Sequence, residues 1–287
     1  TLIGQPDIGL VSFGEMLGRV RTIINAVSIP VDVDADTGYG NALNVYWTVL
    51  NFAKLGAAGV RIEDQAWPKR CGHMLGKRLI SKEEMIQKIK AAKKAVAELD
   101  PDIVIGARTD ARGVAGLEEA IERGIAYAKA GADYVYVEAP QSIEEVKELV
   151  KRIPAPISLN IIPGGRTPPF PIDDLERVGV KYISIPMVTL YAATKAMIEA
   201  LRVLKETRDV RALERMGVTW MEFNEIIGLR RWRELELELL APEELLSMYG
   251  TLDVDEIVER EFKETETKWR HGEGTQPAAR QTSAQRG

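Results

Sequence analysis

The chain has 287 residues, 45% of them hydrophobic, and a formal net charge of −5 at pH 7. That length suits one large α/β domain or two small ones with a sizeable core. The negative balance and the scattered Lys and Arg argue against nucleic acid as a partner. One cysteine excludes an internal disulfide and fits a reducing compartment. No apolar run approaches the roughly 20 residues of a bilayer span, and no signal-peptide pattern stands at the N-terminus. The expectation is a cytoplasmic protein with no membrane partner.

The first apolar run, IPVDVDAD (29–36), places Asp32, Asp34 and Asp36 two residues apart. As a strand it puts all three carboxylates on one face and Val31, Val33 and Ala35 on the other. A helix pattern follows at 43–56, then the run GVRIED (59–64), which ends in Glu63. Carboxylates on adjacent strand ends repel unless a cation lies among them. A hard divalent ion such as Mg2+, with Mn2+ as the substitute, resolves the conflict for Asp34, Asp36 and Glu63. The plainer reading is that they are cap and loop acids satisfied by backbone amides.

PKRCGHMLGKRLIS (68–81) reads as a long polar loop holding the only cysteine. Lys69, Arg70 and His73 flank Cys71 and would stabilise its thiolate, making it a candidate acid, base or nucleophile. No second Cys or pair of His completes a zinc site. After a helix pattern at 81–99, the run DIVIGARTD (102–110) sets Arg108 at a strand end. There it suits a substrate carboxylate, an ion pair with Glu138, or both.

A helix at 116–131, the run DYVYVEAP (133–140), a helix at 142–152 and the run APISLNII (155–162) come next. NIIPGGRTPP (160–169) then offers Asn160, Gly164 and Gly165 as donors to a second carboxylate, or simply a turn. The last pair is a helix at 171–179 and the run KYISIP (181–186). Lys/Arg–Gly pairs closing three of the helices read as C-caps. Strand–helix alternation implies right-handed βαβ units and a parallel sheet. No GxGxxG or GxxxxGK[ST] follows any strand, and polar residues recur at successive strand ends, as the mouth of a (β/α)8 barrel requires. The sequence shows six such strands.

From 188 onward the pattern is helical, at 188–207, 209–217, 219–240 and 242–265. Trp47, Trp220, Trp232 and Met187 are expected in core or subunit-interface packing. The domain reading is a catalytic barrel at 1–207, a helical extension at 208–268 and a disordered tail at 269–287.

VDADTGYG, RIEDQ, PKRCGHMLGK, ARTDA, VEAP and GGRTP, in this order, resemble the isocitrate lyase/phosphoenolpyruvate mutase superfamily over about residues 2–235. KRCGH is the most specific of these, and the likeness is to the short-chain branch holding methylisocitrate lyases, 2-alkylmalate lyases, oxaloacetate-cleaving enzymes and carboxyphosphonoenolpyruvate mutases. The resemblance implies a (β/α)8 TIM barrel, Mg2+ dependence and a homotetramer exchanging C-terminal helices. It implies metal-site acids at Asp34, Asp36 and Glu63, with Asp7 nearby, and a proton donor at Cys71. Lys69 belongs to the same loop motif, and His73, Arg108, Glu138 and Asn160 match substrate-pocket positions. Family members carry two strands and a Tyr-x-Ser-Gly-like motif before the segment that opens here at Thr1. A barrel without its first two strands is therefore expected.

The function this implies is a Mg2+-dependent carbon–carbon lyase cleaving a short 2-hydroxy or 2-oxo di- or tricarboxylate. Ile162-Pro163-Gly164-Gly165 and Tyr191 replace charged family positions, which favours a smaller substrate. The alternatives are a phosphorus–carbon mutase, an oxaloacetate-cleaving enzyme and an inactive homologue.

Overall fold

The computed structural model describes residues 3–100 and 102–270. Its first unit alternates helices and strands: α1 (Phe13–Ala26), β1 (Asp32–Asp34), α2 (Ala42–Lys54), β2 (Gly59–Glu63), α3 (Lys82–Ala97), β3 (Val104–Thr109), a single turn α4 (Ala111–Val114), α5 (Leu117–Ala130), β4 (Tyr134–Val137), α6 (Ile143–Arg152), β5 (Ile157–Asn160), α7 (Ile172–Val178) and β6 (Tyr182–Ser184). All six strands are parallel and lie in chain order, β1 to β6, in one sheet. Each strand joins the edge left by its predecessor, which is the winding of a barrel rather than of an open doubly wound sheet.

The sheet is curled. Tyr182, on the last strand, donates to Asp32 Oδ2 on the first at 3.1 Å, and Tyr134 on β4 donates to the same oxygen at 2.8 Å. A flat six-stranded sheet would hold its edge strands several times the 4.8 Å strand spacing apart.

Side-chain alternation sorts the two faces. Val33, Val60, Ile62, Ile105, Val135, Val137, Ile157 and Leu159 belong to the hydrophobic core, together with Val45, Val49, Phe52, Met85, Ile89, Ile121 and Leu149 of the helices. Burial of each large side chain contributes on the order of 2 kcal/mol. The intervening residues are polar: Asp32 and Asp34, Arg61 and Glu63, Arg108, Tyr134 and Tyr136, Ser158 and Asn160. Register places Asp34 beside Arg61, Glu63 beside Arg108, and Arg108 beside Tyr136. The concave face is therefore polar along the strands, not only at their ends.

Caps define the helices. Asn41 accepts from the N–H groups of Leu43 and Asn44 at the start of α2, and Ser81 and Ser142 cap α3 and α6. Gly131 and Gly179 close α5 and α7 in the left-handed conformation, as their place after a basic residue predicts.

The chain divides at Tyr191/Ala192, inside α8 (Val188–Thr207). The domain boundary expected at 207 is the C-terminal end of that helix. The second unit continues with a 3-10 turn (Val210–Leu213), α9 (Trp220–Ile226), α10 (Leu229–Leu239), α11 (Pro242–Tyr249) and α12 (Val254–Arg270). Leu245, Ile257 and Val258 are buried within it, and Arg233 pairs with Glu236 and Glu261. The expected helix at 209–217 is only that turn, and those at 219–240 and 242–265 each break at a left-handed glycine, Gly228 and Gly250. Helix α1, held by a Ser12–Glu15 capping box, was not among the predicted elements. Trp47, Trp220 and Trp232 are half exposed or more, so they do not fill the chain's own core. The tail expected at 269–287 lies, from 271 on, outside the described residues.

Candidate active site

Asp34, Asp36 and Glu63 do converge at neighbouring strand ends, each with its own cation. Asp34 Oδ2 lies 3.2 Å from Arg61 Nη2. Asp36 Oδ1 lies 2.6 Å from Lys69 Nζ, which also reaches Asp7 Oδ1 at 2.7 Å. Glu63 Oε2 lies 3.2 Å from Arg108 Nε. The backbone N–H of Asp36 adds a bond to Asp34 Oδ1 at 3.0 Å.

Electrostatics separates the three acids. Desolvation opposes the charge on Asp34, but Arg61, Lys69 and Arg108 overcome it and draw its pKa to about 2. Burial outweighs Lys69 at Asp36 and pushes that carboxyl up. Glu63 is pushed well above the usual range by burial, against the pull of Arg108. Neither Glu63 oxygen makes a hydrogen bond although both are buried.

Arg108 organises the centre. Its Nε and Nη2 bind Asp110 Oδ2 and Oδ1 at 2.8 and 3.1 Å, and Nη2 lies 2.9 Å from Glu138 Oε2. Tyr136 donates to the same Glu138 oxygen at 2.6 Å, and the guanidinium also packs on the Tyr136 ring. Burial disfavours the Arg108 charge, yet Asp110, Glu63 and Glu138 hold it protonated more firmly than a free arginine. The ion-pair reading of Arg108 and Glu138 is thus what this arrangement contains. Asp64 anchors the turn behind Arg108, accepting from Asp110 N–H at 3.0 Å and from the Thr109, Tyr127 and Arg123 side chains.

The 68–81 segment lies against this cluster. Its ends are zipped by Ala66 N–H to Arg78 O and Ile80 N–H to Asp64 O. A Cβ on Gly72 would sit 2.2 Å from Glu138 Oε2 and 2.5 Å from Arg108 Nη2, so only glycine lets the backbone approach this closely. Cys71, its neighbour, is partly buried, and its N–H donates to Asp7 O at 3.0 Å. The cations flanking it in sequence are engaged elsewhere. Lys69 holds Asp7 and Asp36, while His73 Nδ1 accepts from Arg166 N–H at 2.7 Å and its Nε2 faces Glu138 Oε1 at 3.5 Å.

Asn160 ends β5 with a buried, unpartnered Oδ1. Gly165 donates its N–H to Ile162 O in a turn, so that amide is not free for a carboxylate; Gly164 is exposed. Asp110 is one of the polar strand-end residues the sequence points to, whereas Arg61, Lys77 and Tyr136 are not singled out by sequence reading. Arg61 and Lys77 are charged groups on or beside motifs that are, which is the available signal.

Six carboxylates (Asp7, Asp34, Asp36, Glu63, Asp110, Glu138) meet four cations (Arg61, Lys69, Lys77, Arg108), an excess of two negative charges when all are ionised. That excess, and the Glu63 oxygens, which face Arg108 without a hydrogen bond, fit one divalent cation. Among the described residues, no group of three or more His, Cys, Asp or Glu side chains is placed where it could by itself hold a metal ion; in this arrangement the three acids face Arg61, Lys69 and Arg108 instead.

A family model for phosphoenolpyruvate phosphomutase matches residues 1–205. 2,3-Dimethylmalate lyase of Eubacterium barkeri is 44% identical over 234 residues, covering 82% of this chain and 80% of that protein. 2-Methylisocitrate lyase of Aeropyrum pernix is 40% identical over 249 residues, covering 86% and 80%. A crystal structure of 2,3-dimethylmalate lyase, a PEP mutase/isocitrate lyase superfamily member, matches with a TM-score of 0.79 at 32% identity, covering 84% of this chain and 80% of that one. Phosphonopyruvate hydrolase in complex with oxalate and Mg++ matches with a TM-score of 0.73 at 30% identity, covering 83% of each chain.

Proposed function

This chain belongs to the phosphoenolpyruvate phosphomutase family, and from that premise we propose that it is a Mg2+-dependent carbon–carbon lyase acting on a short 2-hydroxy di- or tricarboxylate of the 2-methylisocitrate or 2-alkylmalate type. The observation that carries this reading is the cluster of Asp34, Asp36 and Glu63 beside Arg108, with an excess of two negative charges over the cations around it when all are ionised and the cysteine-bearing loop against it.

Asp34, Asp36 and Glu63 would hold the Mg2+, in part through water, and the ion would supply Lewis-acid polarisation of substrate oxygens. Arg108, held by Asp110, offers its guanidinium to a substrate carboxylate. Asn160, through its amide NH2, and the His73 ring provide further polar contacts to the bound acid. A base takes the 2-hydroxyl proton, the adjacent carbon–carbon bond breaks, and the bonding pair remains on the departing carbon. Cys71 donates a proton to that carbon. The docked 68–81 loop keeps water from reaching it first.

A homotetramer fits the second unit, where Trp220, Phe223, Ile226 and Trp232 are each at least half exposed. No helix among the described residues is long and apolar enough to cross a membrane.

The test is to incubate the protein with 2-methylisocitrate, 2,3-dimethylmalate and oxaloacetate, with Mg2+ or with EDTA, and follow release of carboxylic acid products by proton NMR. Cleavage of a 2-hydroxy acid in Mg2+ and none in EDTA is expected. A phosphonopyruvate substrate followed by phosphorus NMR addresses the mutase reading, which the family model favours and which gives Cys71 nothing to do. Turnover there, with none of the carboxylates cleaved, would overturn the lyase reading.

A further inference from the structure

Lys77 has no part in the chemistry above, yet its side chain is only 2% exposed. Its ammonium donates to the Gly72 carbonyl and, at 2.8 Å, to Asp110 Oδ1. Burying an ammonium is tolerated only when its donors are matched, and these two partners belong to different parts of the site. Gly72 is the residue after Cys71. Asp110 is the group that fixes Arg108 through two hydrogen bonds. A continuous set of contacts therefore runs from the backbone beside the thiol, through Lys77 and Asp110, to Arg108 and on to Glu138.

We propose that Lys77 is a positioning residue that couples docking of the 68–81 loop to the setting of Arg108. With the loop docked, Lys77 shares the charge of Asp110, so Arg108, which also faces Glu63 and Glu138, keeps more of its charge for an anion than it would without Lys77. With the loop lifted, the ammonium leaves with Gly72, and Asp110 draws fully on Arg108. Coupling of this kind is reciprocal: an anion on Arg108 holds the loop down, and a docked loop strengthens anion binding. The last point rests on the reading of Arg108 as the anion-binding group.

Cys71 is the only thiol in the chain, so its rate of modification by a chromogenic disulfide reagent reports loop docking directly. The rate is compared in wild type, Lys77→Met and Gly72→Ala, with and without Mg2+ plus oxalate, while circular dichroism checks that each variant is folded. Lys77→Gln serves where Lys77→Met does not fold. Losing a hydrogen bond made by a charged donor corresponds to a shift of about tenfold or more in docking, so the Lys77 variant should react at least tenfold faster; Gly72→Ala, whose Cβ would meet Glu138 and Arg108, undocks the loop by a clash and should react faster as well. Oxalate should slow the wild-type thiol but not that of the Lys77 variant, whose oxalate affinity by calorimetry also falls. A Lys77 variant that reacts at the wild-type rate, or that oxalate protects as it protects wild type, overturns the proposal. Failure of wild type to bind oxalate at all would instead count against the functional reading, and the rates without oxalate would then decide the role of Lys77.

Discussion

Arg108 and Asp110, two residues apart at the end of β3, hold each other through two hydrogen bonds of 2.8 and 3.1 Å. Both are nearly inaccessible to solvent, and the pair also carries Glu63, Glu138 and Lys77. Removing the guanidinium strands three buried carboxylates. Arg108→Met should destabilise the protein by about 3–5 kcal/mol and abolish oxalate binding. Arg108→Lys should restore part of the stability but little of the binding, because an ammonium cannot reproduce the fork. Urea unfolding and calorimetry read the two effects separately.

Glu63 predicts the opposite balance. Its carboxyl is raised by burial against the pull of Arg108 and makes no hydrogen bond, so Glu63→Gln removes a desolvated charge at the expense of one ion pair and should leave metal-free protein about as stable. A ligand at a hundredfold its Kd stabilises by about 2.7 kcal/mol. That increment, seen on adding Mg2+ to wild type, should vanish in the variant. Melts in Mg2+ and in EDTA check it, and an undiminished Mg2+ effect would remove Glu63 from the metal site.

Cys71→Ser should eliminate cleavage while leaving Mg2+-dependent oxalate binding near the wild-type value. Unchanged turnover would show that the proton comes from elsewhere.

His73 gives a pH dependence of defined sign. Burial lowers its pKa below 6.5 despite the opposing pull of Glu138, and its Nδ1 must stay unprotonated to accept from Arg166 N–H. The unfolded chain therefore binds the proton first. Stability contributed by the neutral ring is complete above the unfolded value and is lost as pH falls from about 6.5 toward the folded pKa. His73→Gln should flatten this slope, as measured by urea unfolding at pH 5 to 8.

Tyr134 and Asp32 form the remaining test. The Tyr134 hydroxyl gives a carboxylate oxygen a 2.8 Å bond inside the sheet. Tyr134→Phe should cost about 1–3 kcal/mol with Mg2+ affinity little changed, since Tyr134 bonds Asp32 and none of Asp34, Asp36 and Glu63.

Much of this was readable before any coordinates. The six strands and the acids at their ends follow from period-two patterning and turn chemistry, both local properties. Helix α1 was missed although Ser12 and Glu15 spell a capping box, because Gly14 and Gly18 weaken its helical pattern. The breaks at Gly228 and Gly250 were missed because apolar spacing continues across each. The pairing of Lys77 with Asp110 was out of reach for another reason: they are 33 positions apart, and nothing local marks it. The same holds for Asp32, whose partners Tyr134 and Tyr182 lie 102 and 150 positions away.

That last trio is not isolated from the site. Asp32 and Tyr182 begin their strands, so the tie that joins the sheet's two edges sits at the end remote from Arg108, Glu63 and Cys71. Arg61 is the link between the two ends: it pairs with Asp34, packs on the Tyr136 ring and draws on the charge of Asp32. The tie that curls the sheet and the acids at its mouth are thus joined through one guanidinium, so a change at Arg61 should be felt at both.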